Sequence, residues 1–176
     1  MRLRLLAFVL AAVSPLAGMA SGARAESSNL TVEVSGLRNY NGHVVLMLWT
    51  DSSESSKFPD SAKVQYRDER SGDLPCDFPN AAICRRVLES LQDLTVSYTF
   101  KSLPAGDYAL LVFHDENNNG ILDTGFMRRP LEARGFSGVL PEDISPYGSK
   151  VKFEQARFTL NGPKTVTIGL RYPPHF

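Results

Sequence analysis

Apolar and polar residues alternate with a period of two in several segments, and this pattern restricts the fold more than any other feature. It runs through residues 30–35, 94–101 and 165–172. Successive side chains of a β-strand point to opposite faces, so this period predicts strands with one face on a core. Two further runs, 44–49 and 108–113, are apolar throughout, as expected of central strands.

Helical patterns are scarce. Residues 85–94 have a plausible helical period and are predicted to form either a short helix or an irregular approach to a strand. The segment 151–160 changes parity, which predicts a bulge at Glu154 and Gln155. Six or seven short strands with almost no helix predict an all-β fold, a β-sandwich of about seven strands with long loops. The segments 51–86 and 124–150 are the two long loops, and such loops usually carry binding sites.

The N-terminus has the three-part layout of a secretory signal peptide, residues 1–25. Arg2 and Arg4 precede an apolar run, and Ala23-Arg24-Ala25 forms an A-x-A pattern before Glu26. The run is shorter than the roughly 20 residues of a membrane-spanning helix, although a retained anchor is the alternative. We therefore expect cleavage near Ala25, a periplasmic or secreted protein, and a single domain over residues 26–176 without a membrane span.

Charge and cysteine content limit the partners and predict a cross-link. Loss of the arginines in the signal peptide leaves a slightly acidic chain, which argues against nucleic acid as a partner. Cys76 and Cys84 lie in the polar segment 51–86 and are predicted to form a structural disulfide within an inserted loop. A redox couple is the alternative, although it usually has C-x-x-C spacing, and the chain lacks a histidine cluster for zinc.

The stretch HDENNNGILDTG, residues 114–125, resembles a calcium loop. EF-hand loops place oxygen ligands at positions 1, 3, 5, 7, 9 and 12, with glycine at position 6. With position 6 at Gly120, the first five ligand positions are Asp115, Asn117, Asn119, the carbonyl of Ile121, and Asp123. Position 12 is Phe126, which has no ligand atom, so the predicted affinity for Ca²⁺ is weak, on the order of 10⁻⁴–10⁻³ M. Candidates to complete the shell are Glu132, the leading one, Glu116, Asp107 and Asp143.

A polar hairpin with an Asn-Gly turn is the alternative to an ion site, because its side chains would satisfy backbone groups without a metal. Aspartate at both 115 and 123 exceeds what such a turn requires. The sequence leaves the two interpretations nearly balanced, with calcium slightly favoured.

Residues 103–137 resemble the core of an uncharacterised family of exported bacterial proteins that is catalogued as a domain of unknown function. The family pattern is H-D-x-N-x-N-G-x-L-D followed by P-x-E-x-x-G-F-S. Beside the loop residues above, the matching positions are His114, Gly120, Pro130, Glu132, Gly135, Phe136 and Ser137. The chain departs from the pattern at Arg128 and Gly138. The resemblance implies an immunoglobulin-like or prealbumin-like sandwich and no established activity.

The polar residues support two functional hypotheses. A periplasmic hydrolase or metalloenzyme would use His114, Asp123 and Glu132, although a histidine that ends an apolar strand is more often structural. Ser137 lacks the nucleophile-elbow motif. We therefore favour an exported, non-catalytic binding or accessory module with a calcium-stabilised loop and a protein, peptide or carbohydrate ligand. Arginines 128, 129 and 134 could bind an anion or pair with nearby acids. Phe126, Phe136 and Tyr147 could offer a stacking surface or pack the end of the sandwich.

Overall fold

The computed structural model describes residues 27–52, 55–59, 76, 78, 83–126, 129–147 and 151–174. The predicted signal peptide and most of the segment 51–86 lie outside these residues. None of the described helices has the length and hydrophobicity that crossing a membrane requires.

Strands dominate the described part of the chain. Their bounds are β1 Ser27–Ser35, β2 His43–Thr50, β3 Ile83–Leu88, β4 Val96–Pro104, β5 Gly106–Asp115, β6 Arg134–Phe136, β7 Arg157–Leu160 and β8 Lys164–Gly169. The α-helix, α1, is the single turn Phe153–Ala156, and short helical turns occur at Ser55–Lys57 and Pro141–Asp143.

The strands form two sheets. The smaller has the order β4-β1-β8, with β1 antiparallel to β4 and parallel to β8. The larger has the order β3-β2-β5-β6, and β7 pairs with the first half of β5 along the same edge as β6. The predicted all-β sandwich is confirmed.

The main core lies between the two sheets. Its central residues are Leu30, Val32 and Val34 of β1, Val44, Leu46 and Leu48 of β2, and Leu110 and Val112 of β5. Burial of each such side chain contributes about 1.5–3 kcal/mol. The alternation predicted for β1 therefore arises because its apolar residues face the core and the residues between them face away from it.

A second core covers the outer face of the larger sheet. It joins alternate residues of β2 and β5 to the loops and α1, and includes Val45, Met47, Trp49, Leu111, Phe113, Phe58, Phe136, Ile144 and Phe153. The rings of Trp49 and Phe58 meet edge to face, with centroids 5.7 Å apart. Because β2 and β5 are buried on both faces, their runs are apolar throughout, and their prediction as central strands is confirmed.

Of the two structures predicted for residues 85–94, the helix is wrong, and the irregular approach to a strand holds only for residues 89–94, which precede β4. Residues Ile83–Leu88 form β3, which pairs antiparallel with β2 from Trp49 to Val44, and irregular chain follows. Pairing with a central strand overrides a weak local helical period. The predicted inserted loop 51–86 is accordingly too long, because its last residues belong to β3.

The bulge predicted at Glu154 and Gln155 is also wrong. These residues lie in α1, whose Phe153 and Ala156 are buried on one side, and β7 begins at once with Arg157. The helical turn rather than a bulge changes the parity. The last strand is shorter than predicted, since β8 ends at Gly169.

The predicted disulfide between Cys76 and Cys84 is confirmed. Cys84 lies opposite Leu48 in the pairing of β3 with β2 and is fully buried. The cross-link therefore attaches Cys76 to the edge strand of the larger sheet.

Candidate functional site

The candidate loop begins where β5 ends. Asp115, the last residue of β5, is fully buried. Its carboxylate accepts hydrogen bonds from the backbone N–H groups of Asn119 (3.1 Å) and Gly120 (2.7 Å). Gly120 has a φ of +78°, a conformation that glycine adopts without steric cost. Asp115 therefore organises the turn in which the other candidate ligands lie.

The polar side chains of the loop bind one another. Asp123 accepts hydrogen bonds from the side-chain amides of Asn117 (2.7 Å) and Asn119 (3.0 Å). The amide oxygens of the same two asparagines accept the backbone N–H groups of Asn119 (3.0 Å) and Ile121 (2.9 Å). These hydrogen bonds satisfy the polar groups of the loop without a metal, as the polar-hairpin interpretation requires, because each side-chain amide bonds to a carboxylate or a backbone group.

Glu132 closes the loop from the second segment. One carboxylate oxygen accepts the N–H of Glu116 (3.2 Å), and the other accepts the N–H of Asp123 (3.0 Å). The residue is 5% exposed. Burial raises the pKa of Glu132 to about 7; the Asp123 N–H opposes this rise, and the charges of Asp115 and Asp123 add to it. The protein therefore brings a third carboxyl group to the two loop aspartates.

The donors fit a hard cation by their chemistry, since Ca²⁺ takes carboxylate, amide and carbonyl oxygens in a flexible geometry. In their present arrangement these donors do not form a preformed coordination site. Within the described ranges, no group of three or more His, Cys, Asp or Glu residues is positioned to hold a metal ion. Binding would exchange the amide-to-carboxylate hydrogen bonds of Asn117 and Asn119 for amide oxygens directed at an ion.

The other acids considered for closing the shell have different surroundings. Asp107 lies at the start of β5, at the opposite end of the strand from the loop, and accepts a hydrogen bond from Thr159 (2.6 Å). Glu116 forms an ion pair with Arg38 (2.6 Å) and accepts a hydrogen bond from Asn39 (2.6 Å). Burial alone would raise the pKa of Glu116, but the hydrogen bonds from Arg38 and Asn39 outweigh it and lower the pKa.

His114 is fully buried and uses both ring nitrogens. Nε2 lies 2.6 Å from the carbonyl oxygen of Asn41, and Nδ1 lies 2.6 Å from the hydroxyl of Tyr172. Because a carbonyl only accepts, Nε2 carries a hydrogen, and in the neutral ring Nδ1 accepts the hydrogen of the tyrosine. The Tyr172 oxygen in turn accepts the N–H of Arg38 (3.1 Å). His114 thus joins the 36–42 loop to the C-terminal segment.

Sequence reasoning missed Arg38, Asn39, Asn41 and Tyr172. Arg38 pairs with Glu116 and also covers the Tyr172 ring, with its guanidinium carbon 4.4 Å from the ring centre. Arg38 and Tyr172 are 134 residues apart in the chain, so no local pattern connects them. The sequence contains one signal of the contacts of Asn41, the Asn41-Gly42 pair. Gly42 has a φ of +76°, and a Cβ at this position would lie 1.9 Å from the carbonyl oxygen of Asp115.

The G-F-S segment that follows Glu132 is a packing motif. A Cβ on Gly135 would lie 2.5 Å from Cγ2 of Ile168, so only glycine permits this approach of β6 to β8. Phe136 is buried against Phe58. The buried hydroxyl of Ser137 accepts the N–H of Leu110 (2.9 Å) and donates to the carbonyl of Ala156 (2.5 Å).

The remaining motif residue and the arginines have distinct environments. Pro130 is buried and bridges to Thr124, closing the hairpin between them. Arg134 is buried, donates to the carbonyl of Ser145 (3.0 Å), and has a pKa lowered by burial. Arg129 is exposed, with its guanidinium carbon 4.9 Å from the ring centre of Tyr147. Arg128 lies outside the described residues.

Comparison with known proteins identifies the family. No curated protein and no solved structure is significantly similar to the chain. The model of a bacterial family described as "Uncharacterized protein conserved in bacteria (DUF2141)" matches residues 32–168, which extend from β1 to β8 and include the loop and Glu132. The chain belongs to this family of bacterial proteins of unknown function.

Proposed function

We propose that the protein is an exported, non-catalytic binding or accessory β-sandwich module whose 115–123 loop is stabilised by Ca²⁺. The observation that carries this proposal is the position of Glu132. Its buried carboxyl group bonds to the backbone at Glu116 and Asp123, and it lies where the charges of Asp115 and Asp123 act on it.

Electrostatics favours a cation at this position. Burial of Glu132 disfavours its ionised form most, and the charges of Asp115 and Asp123 disfavour it further, so the pKa of Glu132 is raised. A divalent cation among them would favour the ionised form of each group and offset their repulsion. The amide oxygens of Asn117 and Asn119 and the carbonyl of Ile121 would supply the neutral ligands that Ca²⁺ commonly takes.

Weak affinity is expected, because an ion must displace existing hydrogen bonds. Asp123 already accepts the side-chain amides of Asn117 and Asn119, and these bonds would be lost on binding. The loop has no ligand at the twelfth position, so Glu132 replaces it from outside the loop. A Kd on the order of 10⁻⁴–10⁻³ M, typical of extracellular calcium modules, follows.

A thermal melt with and without calcium tests the proposal. Millimolar calcium should raise the melting temperature of the wild-type protein, and Asp123→Asn should abolish the increase. Asp51→Asn is the matched control, since it removes the same charge from an exposed position at the other end of β5, where Asp51 N–H bonds to Asp107. The idea fails if calcium leaves the wild-type melt unchanged, or if both variants respond like the wild type.

A hydrolase or metalloenzyme using His114, Asp123 and Glu132 is the second candidate. The raised pKa of Glu132 favours it, because a general acid near neutral pH requires such a value. The surroundings of His114 favour a structural role instead, since the ring is buried and both nitrogens are hydrogen-bonded. Both oxygens of Glu132 likewise hold backbone groups. The non-catalytic module therefore agrees better with the contacts of these residues.

A further inference from the structure

A fourth carboxyl group, that of Glu116, lies beside the candidate loop. Glu116 follows Asp115 in the chain, and its backbone N–H donates to Glu132 (3.2 Å). Its carboxylate, in contrast, accepts hydrogen bonds from the side chains of Arg38 (3.0 and 2.6 Å) and Asn39 (2.6 Å). The backbone of Glu116 therefore takes part in the candidate site, whereas its charge is bound by residues outside that site.

Arg38 holds this carboxylate in a defined geometry. Its Nε and Nη2 donate to different oxygens of Glu116, and such a two-point pair is stronger and more specific than a single contact. Its guanidinium carbon lies 4.4 Å from the ring centre of Tyr172, and the hydroxyl of Tyr172 accepts the Arg38 N–H (3.1 Å). The position of Arg38 is therefore determined by two partners, of which Glu116 is only one.

We propose that Arg38 holds the Glu116 carboxylate outside the calcium shell and thereby limits the calcium affinity of the loop, an inference that rests on the proposed function. The N–H of Glu116 bonds to Glu132 (3.2 Å), so the side chain of Glu116 is long enough to reach an ion held by Glu132. Its carboxylate would be a fourth charged ligand in such a shell, and the affinity of calcium sites depends on the charge of their ligands. The ion pair with Arg38 withholds this ligand.

Glu116 differs from the other three acids in this pairing. Within the described part of the chain, Asp115, Asp123 and Glu132 form no ion pair, so their charges are available to a cation. A purely structural role of the Arg38–Glu116 pair predicts a different effect on binding. If the pair only fastened the neighbouring loop, its loss would loosen this end of the sheet and would weaken calcium binding or leave it unchanged. The direction of the change in Kd therefore distinguishes the two roles.

Calorimetric titration with calcium at about pH 8 tests the proposal, because Glu132, with its raised pKa of about 7, is mostly ionised there. Arg38→Gln should lower the Kd for calcium about tenfold, since a further charged ligand joins the shell. In the Glu116→Gln background the same substitution should change the Kd far less, because no carboxylate is released. The matched control is Arg157→Gln. It removes an exposed guanidinium that pairs with Asp107 (3.4 Å) at the opposite end of β5, and it should bind calcium like the wild type.

A second variant keeps the contact of Arg38 with Tyr172, in case Arg38→Gln does not fold, which a thermal melt without calcium shows. Asn39→Ala removes another of the hydrogen bonds on Glu116 and should lower the Kd by a smaller factor. The proposal is overturned if neither variant binds calcium more tightly than the wild type. It is also overturned if Arg38→Gln has the same effect with and without the Glu116 carboxylate, since Arg38 would then act through its charge alone.

These results separate the role of Arg38 from the calcium loop itself. A wild type that binds calcium, with variants that bind no more tightly, contradicts the role of Arg38 and leaves the proposed function standing. Absence of calcium binding by the wild type and by every variant contradicts both proposals. A lower Kd for Arg38→Gln that depends on Glu116 supports both.

Discussion

At the scale of single residues, the tautomer of the neutral His114 ring follows from its two hydrogen-bond partners. The carbonyl of Asn41 requires a hydrogen on Nε2, and the hydroxyl of Tyr172 faces Nδ1. The same hydroxyl accepts the N–H of Arg38. His114, the candidate base, thus belongs to a polar network, and its replacement should lower the free energy of unfolding.

Tyr172→Phe tests this network. The substitution keeps the ring beneath Arg38 but removes the partner of His114 Nδ1 and of Arg38 N–H. We expect the free energy of unfolding to fall by about 1–3 kcal/mol, because a buried group loses its hydrogen bond. Urea unfolding measures the change. Tyr147→Phe, at an exposed ring, is the control and should cost far less; equal effects of the two variants would contradict the role assigned to Tyr172.

At the scale of elements, burial was predictable wherever an apolar period was strong. The alternation of Leu30, Val32 and Val34 identified a strand that is buried on one face, and the continuous run 44–49 identified a strand that is buried on both faces. The weak helical period at 85–94 did not indicate β3. This strand is stabilised by its pairing with β2, and a partner that is distant in sequence leaves no local pattern. The bulge prediction failed for a different reason, because a single helical turn at Phe153–Ala156 changes the parity of the pattern as a bulge would.

Sequence patterns likewise identify only one part of the candidate site. Spacing within one loop identified Asp115, Asn117, Asn119 and Asp123 as candidates, and Glu132 lies beside them; their role as ion ligands stays a prediction. The contacts of Arg38 and Tyr172 connect segments far apart in sequence and depend on how the sandwich closes. Patterns within one segment carry no information about such contacts.

Gly135→Ala tests the contact between β6 and β8. The added methyl group would lie 2.5 Å from Cγ2 of Ile168 and 2.6 Å from the carbonyl oxygen of Gly169, which a side-chain rotation alone does not relieve. Overpacking of this kind costs about 1–3 kcal/mol of unfolding free energy. Gly162→Ala is the control, because nothing lies within 4 Å of its added methyl group. Matching urea midpoints for the two variants would show that β6 and β8 do not meet as described.

At the scale of the whole molecule, the candidate loop lies at one end of the larger sheet. His43, the first residue of β2, pairs with Asp115 at the end of β5, so the 36–42 loop and the candidate loop meet at one end of the larger sheet. The Arg38–Glu116 ion pair and the contact of His114 with Tyr172 hold that end together. An ion bound by Glu132 and the loop would therefore add to the stability that these contacts give this end of the sheet.

Calorimetric titration with calcium at two pH values tests the claim that Glu132 closes a calcium site. Folded Glu132 has a raised pKa of about 7, so below that pH it is protonated and must lose a proton before it can ligate an ion. Affinity should therefore rise with pH, and it should be about tenfold weaker at about pH 6 than at about pH 8. Glu132→Gln should bind more weakly at both values and lose this pH dependence. No calcium binding by the wild type, or equal affinity at the two pH values, would contradict the claim.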